Sequence, residues 1–391
     1  VRVIVVGAGI NGVISAIELR KRGHDVDLID PGPLPHPLAA STDISKAVRA
    51  AYGADEKYTE LAARVLPLWP KWNEEFGTDL YHEVGFLFMR QTSMGPGDFE
   101  HESLLTLERH GRAVVRMDSE ELRKRFPAWK ADRFPDGFLE REAGYVESAR
   151  AVSALIGKAE SRGVRLRAGA RFLRLDESAR GVTGVVIEDG DKIAADKVLF
   201  TAGAWTPYLL PFTRSFFRST GHPVFHLQPR QPEMFRAECF PVFGADISKT
   251  GYYGFPLNRD GVVKIARHGP GREMSPDSPD RVVTAEEESD LREFVSATFP
   301  ALVDAPIVHT RVCMYCDTHD GNFWIAPDPD RAGLTVCAGD SGHGFKFAPV
   351  LGAIIADAVE GKANPLLENF RWRPEVRPGA GKEAARFRPG L

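Results

Sequence analysis

Three features of the sequence predict an α/β + β protein. An apolar strand opens the chain and runs into a glycine turn and a helix, a second strand–turn–helix of the same kind closes it, and a strand-rich region bearing several prolines lies between. At the start, Val3 to Val6 is a short run of β-branched residues, Gly7 to Gly12 a turn, Ser15 to Arg22 a helix and Val26 to Ile29 a second strand, so the chain begins as a βαβ unit. Near the end, the apolar run Leu334 to Ala338 meets the glycine turn that closes at Gly342 and then a helix from Val350 to Glu360. The middle region, roughly Phe212 to Pro306, includes strand patterns at Gly251 to Pro256 and Val262 to Arg267. At 391 residues the chain exceeds the usual size of one hydrophobic core, so two domains are expected.

The remaining elements follow in order. From Tyr58 to Phe76 apolar residues recur at helical spacing (Leu61, Ala62, Val65, Leu68, Trp69, Trp72), and Val84 to Met89 reads as a strand. After a loop-like stretch from Thr92 to Gly97, Glu100 to Arg109 is helical, and Asp118 or Ser119 caps a helix through Arg125 that Pro127 stops. Gly144 to Val146 leads into a helix over Ala149 to Arg162, which Gly163 breaks, and strands follow at Val164 to Arg167, Val182 to Ile187 and Lys197 to Thr201. The nucleotide-type patterning therefore falls in three separated pieces, 1–85, 145–215 and 318–391, with 86–144 and 216–317 forming the second domain. The Arg- and Pro-rich end after Asn369 reads as a surface tail.

Composition narrows the function classes. A formal net charge of -4 gives no global electrostatic case for nucleic acid or an anionic membrane. No stretch approaches the roughly 18 apolar residues a membrane span needs. An opening strand at Val1 to Val6 leaves no signal-peptide pattern, and four cysteines (Cys239, Cys313, Cys316, Cys337) are too few for a disulfide framework, so a cytoplasmic location is expected. His, Cys and carboxylates show no convincing metal-ligand spacing.

Gly7, Gly9 and Gly12, with Ile10 and Asn11 at the helix start, form a GxGxxG turn, and Asp30 ends the next strand at the distance of a ribose-binding acid. The glycines let backbone approach a pyrophosphate, and the helix N-terminus presents unpaired N–H groups to it. A merely tight turn is the plain alternative, and the motif does not separate NAD from FAD. Two further glycine-lined approaches favour FAD: Thr201-Ala202-Gly203-Ala204-Trp205, and Gly339-Asp340-Ser341-Gly342-His343-Gly344-Phe345-Lys346.

These segments, together with Arg49-Ala50-Ala51-Tyr52-Gly53, Tyr252-Tyr253-Gly254-Phe255-Pro256 and Cys313-Met314-Tyr315, resemble the D-amino-acid-oxidase superfamily of flavoproteins, in its branch of monomeric sarcosine, pipecolate and fructosyl-amino-acid oxidases. The resemblance spans nearly the whole chain. It implies a Rossmann-like FAD-binding domain joined to a mostly antiparallel substrate domain. It implies a monomer that oxidises an N-substituted amino acid by hydride transfer to flavin N5, with oxygen then reduced to hydrogen peroxide. Residues matching the family's cofactor contacts are Ser41, Thr42, Lys46, Gly203, Trp205, Gly339, Gly342, His343, Gly344, Phe345 and Lys346, with Cys313 as the covalent attachment point. A metal-binding or redox Cys-x-x-Cys pair with Cys316, or a buried cysteine used as a small hydrophobe, are the other readings of Cys313.

On the substrate side the resemblance nominates Arg49 and Lys346 for the carboxylate, Tyr253 and Tyr315 for the amine and its alkyl group, Lys264 as the cation that serves the oxygen step, and His268 for the amine's protonation or orientation. Arginine grips a carboxylate bidentately and lysine adds a point charge, so a buried pair of them is costly until an anion arrives. Lys264 and His268, evenly spaced, are expected on one strand face. Lys46 stands where sarcosine oxidases have arginine, and Asp43-Ile44-Ser45-Lys46 leans toward the fructosyl-amino-acid oxidases, whereas Cys313-Met314-Tyr315 leans toward sarcosine and pipecolate oxidases. The nitrogen substituent stays open, as do a flavin dehydrogenase with another acceptor and a non-catalytic flavin subunit.

Overall fold

The computed structural model describes residues 1–381 and 383–387. Val3, Ile4 and Val5 are fully buried in the strand Arg2–Val6, a side-chain burial that contributes about 1.5–3 kcal/mol each. Burial on both faces selects a central position and parallel pairing. The strand pairs in parallel with Asp25–Asp30 on one side and Lys197–Phe200 on the other. The full six-stranded order is Trp324–Pro327, Leu334–Ala338, Lys197–Phe200, Arg2–Val6, Asp25–Asp30 and Arg165–Ala168, antiparallel only at the Trp324–Pro327 edge. The helix Ile10–Lys21 packs against both Ser148–Ser161 and Ala348–Glu360. Gly352 permits the second contact, since a Cβ there would lie 2.9 Å from the Ile14 carbonyl oxygen.

A nine-stranded sheet forms the other layer. It runs Arg272–Glu273, Phe217–Leu227, Val263–Arg267, Tyr252–Phe255, Val242–Ala245, Phe86–Arg90, Asp136–Glu140, Val114–Asp118, with Ile307–Thr318 also paired to Phe217–Leu227. All its pairings are antiparallel except Val242–Ala245 with Phe86–Arg90. An aromatic core of Trp129, Phe235, Phe240, Phe243 and Phe299 fills one side of this sheet. No helix among the described residues is long and apolar enough to cross a membrane.

Two expectations are corrected. The 58–76 stretch is two helices, Glu56–Val65 and Trp69–Phe76, joined by a 3-10 turn at Leu66–Leu68. Pro67 and Pro70 lack the N–H a continuous helix would use and are accommodated in a first turn instead. The expected surface tail after Asn369 is not exposed throughout: Glu383, Ala385 and Arg386 are buried, Ala385 completely, because residues 383–387 lie against the large sheet. Phe387 N donates to the His268 carbonyl at 3.0 Å, and Arg386 Nε to the Gly269 carbonyl at 2.8 Å.

Candidate active site

The helix Ile10–Lys21 begins inside the glycine turn, five residues before the apolar pattern suggests, which brings its N-terminus against the strand ends. A Cβ on Gly12 would stand 1.9 Å from the Gly7 carbonyl oxygen, and one on Gly7 2.8 Å from the Thr201 carbonyl oxygen, so this close stacking of turn and crossing strand admits only glycine. The turn opens on a groove of about 240 Å³. Gly7, Gly9, Ile10, Asn11, Asp30, Ser41, Gly203 and Trp205 line it, along with Met314, Cys316 and Asp340 from the far side. Asp30 accepts from Ala8 N at 2.9 Å and Gly32 N at 3.1 Å, and Ser41 Oγ accepts from Ile10 N at 3.0 Å. The Asn11 side-chain oxygen is buried without a hydrogen-bond partner, a polar atom waiting for a ligand donor. A polyhydroxy dinucleotide satisfies these features. Trp205 is held over the mouth by Asp277, 2.9 Å from its indole N–H. Thr42 does not reach the groove: its hydroxyl donates to the carbonyls of its own loop, at His36 and Ala39.

Strand alternation places a second hollow behind the first. Met314 and Cys316 of Ile307–Thr318 face the groove, whereas Tyr315 faces a cavity of about 60 Å³. Lys46, Arg49, Tyr253, His268, Tyr315, Gly342, His343, Phe345 and Lys346 line that cavity with Ala47, Phe86 and Ile247. Gly342 has φ +80, and a Cβ there would fall 2.2 Å from the Tyr315 ring. Gly339 and Gly344 are packed in the same way against Thr318 and Asp340, where a Cβ would meet side-chain atoms at 2.3 and 2.6 Å.

Arg49 follows the strand Lys46–Val48, and the next two N–H groups, of Ala50 and Ala51, both donate to Glu140, whose carboxyl burial pushes up to about 7. Its guanidinium stands 4.8 Å over the Tyr52 ring and donates to the Ala51 carbonyl and, at 2.8 Å, to Glu383. The expected lone pair of cations is thus corrected, because Glu383 already compensates Arg49. Lys346 lies on the 3-10 turn Phe345–Phe347, fixed by stacking of Phe345 on Trp69 and by the Trp69 indole N–H bonded to the Lys346 carbonyl. Its ammonium donates to Tyr52 Oη and the His343 carbonyl, both at 2.7 Å, and burial and Arg49 depress its pKa well below the ordinary lysine value. His343 bridges Tyr52 Oη at 3.1 Å and the Gly321 carbonyl at 2.9 Å, and burial lowers its pKa to about 3.

Lys264 and His268 do not share one location. His268 lies just past the strand Val263–Arg267 and bonds Glu383 through Nε2 at 2.8 Å. Burial lowers its pKa, and because a carboxylate only accepts, Nε2 carries the proton. Lys264 is not among the cavity-lining residues. Its ammonium is buried 2.6 Å from Asp43 Oδ2 and donates to the Ser45 carbonyl at 2.6 Å, and burial lowers its pKa to about 8. Asp43, which the sequence offered only within the Asp43-Ile44-Ser45-Lys46 run and without a role at the site, is the partner of Lys264. Lys46 Nζ reaches Cys313 Sγ at 3.5 Å, and despite burial the neighbouring sulfur and Asp43 keep its pKa raised. Cys313 is itself buried beside Val224, Ala266 and Tyr315. No group of metal-binding side chains occurs among the described residues.

The two-layer fold with a glycine-turn groove opening beside a cationic cavity defines a flavoprotein oxidoreductase. The chain belongs to the DAO family of FAD dependent oxidoreductases, whose model matches residues 2–358. It is 29% identical to the monomeric sarcosine oxidase of Bacillus sp. (strain B-0618), covering 97% of this chain and 98% of that one. It is 29% identical to L-saccharopine oxidase of Schizosaccharomyces pombe over 95% of this chain and 93% of that one. The structure superimposes on Amadoriase I, the fructosyl amine:oxygen oxidoreductase of Aspergillus fumigatus, with a TM-score of 0.85 and 26% identity, covering 100% of this chain and 93% of that one.

Proposed function

We propose that the protein oxidises N-substituted amino acids, with oxygen as final acceptor and hydrogen peroxide as product. The observation that carries this reading is the cavity itself, which buried Arg49 and Lys346 line together with Tyr253 and Tyr315 beside the glycine-turn groove. Cations held out of water bind a carboxylate more strongly than surface cations do. The tyrosine hydroxyls stay neutral, Tyr253 pushed up to about 12 and Tyr315 well above the ordinary value by burial, so their rings offer an uncharged wall to an amine and its alkyl group. The names of the relatives, which act on sarcosine, saccharopine and fructosyl amines, support a secondary amine as the reacting group.

When bound, FAD supplies the hydride acceptor. The chain's residues do the rest: Arg49 and Lys346 orient the carboxylate, neutral His268 holds its proton on Nε2 at the cavity wall, and Lys264 contributes positive charge behind that wall. Cys313, whose sulfur lies 3.5 Å from Lys46 Nζ, is proposed to carry the flavin through a thioether. Acid precipitation checks the attachment, with yellow colour expected in the pellet of the native protein and in the supernatant of Cys313→Ala. For the substrate, peroxide release is screened with N-methyl, cyclic and sugar-substituted amino acids beside their amides and decarboxylated amines. The acids are expected to turn over at least tenfold faster, and equal turnover of amides would remove the carboxylate from the reading. Oxidation of the substrate with no peroxide released would make the protein a dehydrogenase.

A further inference from the structure

We propose that Glu383 is an internal competitor for the substrate's carboxylate seat: the carboxyl-terminal segment lays its own carboxylate on Arg49, and a carboxylate ligand binds by displacing it. The inference rests on the reading of Arg49 and Lys346 as that seat. Both oxygens of Glu383 are engaged inside the site, Oε1 with Arg49 Nη2 and Oε2 with His268 Nε2, each at 2.8 Å, and its side chain is 1% exposed. Arg49 and His268 hold its pKa well below the carboxyl range in spite of burial, so the group is an anion there. Lys346, the other half of the seat, spends its ammonium on Tyr52 and the His343 carbonyl and has no bond to Glu383. The seat is therefore occupied on its arginine side and open on its lysine side.

The segment has its own anchor outside the seat. Arg386 forms a paired bond to Asp317, at 2.6 and 2.7 Å, and donates to the Gly269 carbonyl, while Phe387 N holds the His268 carbonyl and its ring lies 5.4 Å from the Arg267 guanidinium. Ala385 is fully buried between the two attachments. An anchor three to four residues from Glu383 keeps its carboxylate at high effective concentration beside Arg49, and displacement of the carboxylate loosens the short segment between seat and anchor. With Glu383 seated, the cavity of about 60 Å³ has room for a few waters. A ligand that needs the empty seat binds with its intrinsic affinity reduced by the fraction of molecules in which the seat is free, so a tail seated in about 90 to 99 molecules of a hundred weakens it by about ten- to a hundredfold.

Acetate is a probe small enough to report the seat without the rest of the substrate. In the holoenzyme its binding is titrated by the change in flavin absorption, and the amide exchange of residues 383–387 is followed with and without saturating acetate. The proposal expects Glu383→Gln to bind acetate about ten- to a hundredfold more tightly than the native enzyme, and expects acetate to speed exchange across 383–387 in the native enzyme. It is overturned if Arg49→Met abolishes acetate binding while Glu383→Gln leaves it unchanged or weakened, or if 383–387 keeps its protection with acetate bound. The exchange measurement needs no variant and stands even where Glu383→Gln fails to fold. If acetate binds neither native nor Glu383→Gln protein, or binds both with no dependence on Arg49 or Lys346, the carboxylate-seat reading itself falls and the competitor with it.

Discussion

Lys264 carries a conditional charge, because burial pulls its pKa down to about 8 while Asp43, 2.6 Å away, pulls it up. The folded state binds fewer protons than the unfolded chain between about 8 and the ordinary lysine value of 10.5, so stability rises with pH through that window while the cation is lost. If oxygen reduction depends on that cation, oxygen consumption falls as pH rises through about 8 in the native enzyme. Asp43→Asn removes the carboxylate that supports the charge, so the fall moves to lower pH, by about one unit or more. A pH profile of substrate-dependent oxygen uptake checks both, and an unmoved profile in Asp43→Asn would mean that Lys264 is not the titrating group. Arg49, Tyr253, His268, Tyr315 and Lys346, which line the cavity, were legible through the family resemblance of the segments that carry them. The Asp43 contact was not, since it joins a loop to a strand more than two hundred residues later and no local pattern registers such a pairing.

Elements show where pattern reading succeeds and where tertiary packing overrules it. The β-branched runs in the six-stranded sheet give strands whose ends fall within a residue or so of the apolar runs, as in Leu334–Ala338, because burial on both faces leaves the sequence little choice. The helix Ile10–Lys21 starts earlier than its apolar spacing, since its first turn is built from glycine-turn residues whose task is backbone approach. That reasoning makes a paired prediction. Gly12→Ala drives a methyl group into the Gly7 carbonyl and costs about 1–3 kcal/mol or more, with loss of bound flavin. Gly157→Ala, in the middle of Ser148–Ser161 with nothing within 4 Å of the added Cβ, stabilises by about 0.5–1 kcal/mol. Urea unfolding and flavin content of the two variants check the pair, and a Gly12→Ala protein as stable and as yellow as native would refute the close-packing account.

At the scale of the whole molecule, the cavity is lined from segments at residues 46–49, 86, 247, 253, 268, 315 and 342–346, with Glu383 bonded to Arg49 and His268 of its wall, so widely separated parts of the chain must be in place together. Residues 383–387 were the part sequence could not disclose: the stretch after Asn369 has the composition of a solvated tail, and only the tertiary partners of Glu383 and Arg386 show that these residues are not part of one. Its clamp, Arg386 on Asp317, is buried, and Asp317 also accepts from Thr220 Oγ1 at 2.6 Å. Removing one member of such a pair leaves the other charge without its partner, so Arg386→Met should destabilise by up to about 3–5 kcal/mol, the segment's own docking energy setting the limit if it detaches alone. Despite burial, Arg386 holds the Asp317 pKa below its ordinary value. The pair's contribution is therefore present above the ordinary carboxylate range and disappears as pH falls through and below it. The difference in urea midpoint between native and Arg386→Met holoenzyme should be full at pH 7 and shrink toward pH 3. A gap of the same size at both pH values would assign the loss to packing of the Arg386 side chain, whose guanidinium lies over the Tyr315 ring, and leave the ion pair without a stabilising role.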